Sequence, residues 1–215
     1  MTDVNLQLVR ECFELNVFRV LTNWQQEPWR NHAVERSPQL FVENTAETSP
    51  RELPFQLNAH DIAYIDRAVV HVRAWHADRF YPSVIESSPV LSRFEASEAA
   101  TIAQHVFDGR PYKTLLVLSE LPVSRDQRSR SLGLLAEAGV DHIIEFRYVL
   151  QDILERVSVN CNYTASPTLQ TLRLLKRYKL VRNQQLEFAF RIDPPAPPTP
   201  PVVDSQEIPS DEADE

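Results

Sequence analysis

The chain has 215 residues, 43% of them apolar, enough to bury the core of one domain. Only 3 residues are glycine and 16 are proline, so no glycine-rich phosphate loop is present, which excludes P-loop NTPases and dinucleotide-binding Rossmann enzymes. The net charge of −8 belongs to the C-terminal end: removing the seven acidic residues of 193–215 from the total of 30 leaves 23 against 22 basic. A nearly neutral domain does not announce nucleic-acid binding, although a local basic face is compatible with it.

Residues 3–15 (DVNLQLVRECFEL) predict an amphipathic helix, with Val4, Leu8, Cys12 and Leu15 on one stripe and Asp3 as N-cap. VFRVLTNW (17–24) and LFVEN (40–44) read as strands, and the proline-bearing 45–54 as loop. DIAYI (61–65) and AVVHVRAW (68–75) read as two strands joined at Asp66-Arg67 into an antiparallel hairpin. Residues 95–107 predict a helix, and YKTLLVLSEL (112–121) a buried parallel strand. A helix over 126–138 ends at Gly139, followed by a strand (141–146) and a helix (148–157). Ser166 and Pro167 open a last helix as N-cap and N1, and QLEFAFRI (185–192) alternates like an edge strand. DPPAPPTPP then predicts a polyproline II spacer of ~3.1 Å per residue, and the acidic end a disordered tail. The expected architecture is an α/β domain over 1–192, with one mixed sheet flanked by helices, and a tail over 193–215.

Cys12 and Cys161 lack metal-type spacing and read as buried free thiols. The N-terminus lacks a signal-peptide core, and no run approaches the ~20 apolar residues of a membrane span, so a cytoplasmic protein without a membrane partner is expected. Oligomeric state is not readable from the sequence.

The stretch HDIAYIDRAVVHVRAWH (60–76) carries unusually many ionisable groups for apolar strands. Strand alternation puts His71 and Arg73 on one face, and the expected hairpin would bring Asp61 beside them. This pattern resembles the restriction-endonuclease-like superfamily with its PD-(D/E)XK signature, in which an Asp opens one strand and acidic-x-Lys lies on the next. The resemblance covers about residues 3–160 by element order. It rests on Asp61 as first carboxylate and on His71-Val72-Arg73 in place of (D/E)-x-K. It implies a restriction-endonuclease-like fold and a helix contribution from Gln7, Glu11 or Glu14.

The departures decide the functional expectation. Imidazole in place of a carboxylate suits Zn, Fe or Mn better than Mg, and removes one negative charge. Arginine stays protonated, so it binds phosphate but cannot act as a base. The expected protein is a catalytically degenerate nuclease-fold protein, a pseudoenzyme without cofactor, acting in nucleic-acid binding or protein assembly. One alternative is an active nuclease using Asp61, His71 and Arg73 with Mn or Mg. Another is a structural interaction protein with no nucleic-acid role. Candidate nucleic-acid contacts are Arg125, Arg128 and Arg130 at one helix start and Arg173, Lys176 and Arg177 on another. His76, Asp78, Arg79 and Tyr81 form a candidate contact loop, and the acidic tail a candidate site for a basic protein partner.

Overall fold

The computed structural model describes residues 4–22, 39–46, 51–74, 76–77, 79–88 and 98–181. The chain separates into units of residues 1–183 and 184–215, and every described element belongs to the first. The strand expected at 185–192, the polyproline spacer and the acidic tail lie outside the described residues.

Among the described residues, six strands form one mixed sheet: β1 (Phe18–Thr22), β2 (Gln39–Asn44), β3 (Gln56–Leu57), β4 (Arg67–Arg73), β5 (Lys113–Leu118) and β6 (His142–Glu145). Their spatial order is β1-β2-β4-β5-β6-β3. β1, β2 and β4 form an antiparallel meander, while β4, β5, β6 and β3 run parallel. The expected hairpin around Asp66 does not form, because the antiparallel neighbour of β4 is β2 and its other neighbour is β5.

The expected strand at 61–65 is instead part of a 3-10 helix, Ala59–Tyr64. Its cause is local. Asn58 caps the turn through the His60 N–H, and the Asp61 carboxylate accepts the Asn58 N–H at 3.0 Å, a reciprocal capping box. Ile62 and Ile65 are buried at a spacing of three, which fits one 3-10 turn as well as it fits an apolar strand.

The helices are α1 (Val4–Leu15), α2 (Pro82–Ser87), α3 (Glu98–Val106), α4 (Arg125–Glu137), α5 (Phe146–Arg156) and α6 (Pro167–Arg177). On one sheet face, Leu40, Val42, Ala68, Val70, Val72, Leu115, Val117 and Ile144 pack against α1, α5 and Leu169 of α6. On the other, Leu116, Leu118 and Ile143 meet Ile85 of α2 and Leu135 of α4, and Phe41 and Val69 meet Ala103 of α3. The crossovers β4-α2-α3-β5 and β5-α4-β6 step in one direction, and right-handed connections then keep their helices on one face. β4 is central and covered on both sides, which explains its near-continuous apolar run.

Two capping expectations hold. Ser166 accepts the Leu169 N–H at 3.0 Å and Pro167 opens α6. Gly139, with φ +85, follows α4 in the left-handed conformation that glycine adopts without a Cβ clash. The short α2, opened by Pro82, lies where the sequence reading expected loop.

Candidate functional site

The parallel strands β4, β5 and β6 end together, and ligands of open α/β sheets bind beyond that edge. The register aligns Arg73, Leu118 and Glu145 in one row, and His71, Leu116 and Ile143 in another two residues earlier. Alternation puts all six on the face covered by α2, α3 and α4. Gln39 lies opposite His71 from the antiparallel side. His71 and Arg73 therefore share a face as expected, and both are buried. Arg73 and Glu145 stand two strands apart, about 10 Å at the usual strand spacing.

Burial, and then the Arg73 guanidinium, lower the His71 pKa from its ordinary 6.5 to about 4. The imidazole is neutral at pH 7 and faces a permanent cation two residues away. That combination repels a divalent cation and suits an anion or a hydrogen-bonding partner.

Asp61 does not join this face as a strand neighbour of His71. It precedes β4 in the 3-10 helix, with its carboxylate engaged by the Asn58 N–H. Among the described residues, no three His, Cys, Asp or Glu side chains converge to hold a metal ion. The helix candidates lie elsewhere too, since α1 packs on the opposite face, against Val70 and Val72. Glu11 is buried there, where one oxygen accepts Gln7 at 2.8 Å and the Ser166 hydroxyl, while Oε2 has no hydrogen-bond partner among the described residues. Glu14 pairs with Arg10 at 2.7 Å on the surface.

Glu145 is the ionisable residue that sequence reasoning missed. It is 2% exposed. Its Oε1 accepts Arg128 at 2.6 Å, Gln56 at 3.0 Å and Arg147 at 3.2 Å, and Oε2 accepts the Leu121 N–H at 3.3 Å. It also stands at the N-cap position of α5, where the helix dipole favours negative charge. The signal was present in DHIIEF: an acid at the buried phase of a short apolar strand, directly before a helix. This carboxylate ties the β3 edge, the loop after β5 and the start of α4 to the end of β6.

The basic candidates divide. Arg128 serves Glu145, and Arg130 pairs with Glu86 at 2.7 Å. Arg173 donates to the Val159 carbonyl at 3.1 Å, and Lys176 closes the end of α5 through the Leu154 and Val157 carbonyls, the latter at 2.7 Å. Arg125 and Arg177 remain exposed. In the candidate loop, His76 bonds to Asn5 at 2.9 Å and stacks edge-on against Phe146, and Arg79 pairs with Glu120 at 3.0 Å. Tyr81 is the N-cap of α2, and Asp78 lies outside the described residues.

Fold and site together define an α/β protein built on one mixed sheet, with a buried histidine–arginine pair on its central strand. No family model, curated protein or solved structure matches the chain. No helix among the described residues is long and apolar enough to cross a membrane.

Proposed function

We propose that the chain is a catalytically degenerate protein of restriction-endonuclease-like layout that works by binding, as a module of a protein assembly. The antiparallel meander preceded by a helix, then a crossover to a parallel strand, agrees with the element order of that superfamily. One observation carries the loss of catalysis. The strand antiparallel to β4 opens with Gln39, an amide opposite His71, and Arg73 completes the group. Where the family has two carboxylates and a lysine, these three positions offer an amide, a neutral imidazole and a fixed cation, while the Glu145 carboxylate of the same face is taken up by Gln56, Arg128 and Arg147. A divalent ion finds no anionic ligand at the three positions.

Assembly is favoured over nucleic-acid binding because four of the six basic candidates are engaged within the protein. The test incubates the full chain with supercoiled DNA, single-stranded DNA and RNA, in Mg²⁺ and in Mn²⁺. No cleavage is expected, and no retention of nucleic acid at 0.15 M salt. Metal-dependent cutting lost in His71→Ala would overturn the degenerate reading. Tight binding that weakens steeply with salt and is lost in Arg125→Ala/Arg177→Ala would replace assembly by nucleic-acid binding. Asp61→Ala should cost about 1 kcal/mol of stability through its cap and leave these assays unchanged.

A further inference from the structure

The two edges of the sheet differ. β3 is a two-residue strand, too short to recruit another chain. β1 has five residues and, among the described residues, pairs only with β2. Its one charge is Arg19, and among the described residues it has no lysine or proline to blunt the edge. Leu21 is 52% exposed.

The orientation of its backbone follows from one bond. The Thr45 N–H donates to the Val17 carbonyl at 3.3 Å, which makes 17 and 45 a hydrogen-bonding pair. In an antiparallel ladder such pairs alternate, so Arg19 and Leu21 turn their backbone groups toward β2. Phe18, Val20 and Thr22 turn theirs outward. Among the described residues, no hydrogen bond reaches those outward groups.

The geometry points to β1 as a self-pairing edge, through which two copies of this chain join their sheets antiparallel around a two-fold axis at Val20. In that register Phe18 faces Thr22 of the second copy, Val20 faces Val20 and Thr22 faces Phe18. All three outward residues then exchange bonds in both directions. On the alternate positions Arg19 faces Leu21, so the one charge of the strand lies along an exposed apolar side chain rather than against its own copy. Moving the axis to Arg19 sets like charges directly opposite, and moving it to Leu21 removes one of the three bonded pairs. The strand is therefore complementary to itself in one register, as a two-fold interface requires. This inference does not depend on the function proposed above.

Sedimentation velocity of the full chain over a concentration series should show a monomer–dimer equilibrium. Leu21→Lys places a lysine opposite Arg19 twice per dimer and should weaken association about tenfold. Leu21→Glu creates two ion pairs there and should keep or strengthen it. Both substitutions sit on an exposed side chain, and circular dichroism confirms the fold. In a Cys161→Ser background, Val20→Cys should form an intermolecular disulfide on mild oxidation and Arg19→Cys should not. A monomer at every concentration, equal behaviour of the Lys and Glu variants, or equal cross-linking at 19 and 20 would each overturn the proposal.

Discussion

Acid should weaken this protein through His71 in a defined window. In the unfolded chain the imidazole titrates near 6.5, whereas in the fold burial and Arg73 hold it at about 4. Above pH 6.5 neither state carries the proton, and the stability of the neutral, buried form is fully present. Below 6.5 the unfolded chain takes up a proton that the folded chain refuses, so stability falls until the pH passes about 4. Linkage between those two values gives a loss of about 2 to 3 kcal/mol by pH 4.5. His71 is 3% exposed, so solvent screening does not erode the effect. Urea unfolding of the native chain and of His71→Gln, at intervals from pH 7.5 to 4.5, measures it. Carboxylates titrate in both proteins and cancel in the difference. The native chain should lose about 2 to 3 kcal/mol more than the variant over that range. Parallel profiles, or a His71 ring resonance titrating near 6.5 in the folded protein, would refute the reasoning.

Two further predictions rest on buried groups. Glu145→Ala removes the acceptor of Arg128, Arg147 and Gln56, and should cost about 2 kcal/mol by urea unfolding. That is less than a fully buried pair because both arginines reach water. The two cysteines should separate under a thiol reagent. Cys161, expected to be buried, is exposed and reacts in the native state, whereas burial and then the Asp152 carboxylate push the Cys12 thiol well above its ordinary pKa, so Cys12 reacts only on unfolding.

The elements with a clear period were legible in the sequence. α1, β4 and α6 fall within a residue or two of expectation, because helical or strand periodicity or a Ser-Pro cap fixes each locally, and β5 starts within one residue but stops at Leu118, three residues short. The pairing of β4 was not legible. Nothing local in AVVHVRAW distinguishes β2, more than twenty residues upstream, from the adjacent DIAYI, and proximity favoured the wrong partner. The capping box of Asn58 and Asp61 was the available correction, since an Asn three residues before an Asp marks the start of a turn rather than a strand.

For the candidate site, two-residue periodicity sufficed to place His71 and Arg73 together. It could not show that Asp61 was spent on a cap, or that Gln39 stood opposite. Those facts depend on long-range register. The basic clusters misled for a related reason. A lysine at a helix surface reads as solvent-facing charge, yet Lys176 reaches across to the last carbonyls of α5.

The brevity of β3 limits how far the sheet can grow. A protein with two open edges can add copies at both ends and polymerise into a fibre. Here Gln56 of β3 is drawn inward to Glu145, and the strand stops after Leu57, so that end offers no template. Among the described strands, growth is left to β1 alone, and the proposed joining of two β1 edges would use up both. An assembly built this way terminates at a pair and presents a stunted strand at either end of its continuous sheet.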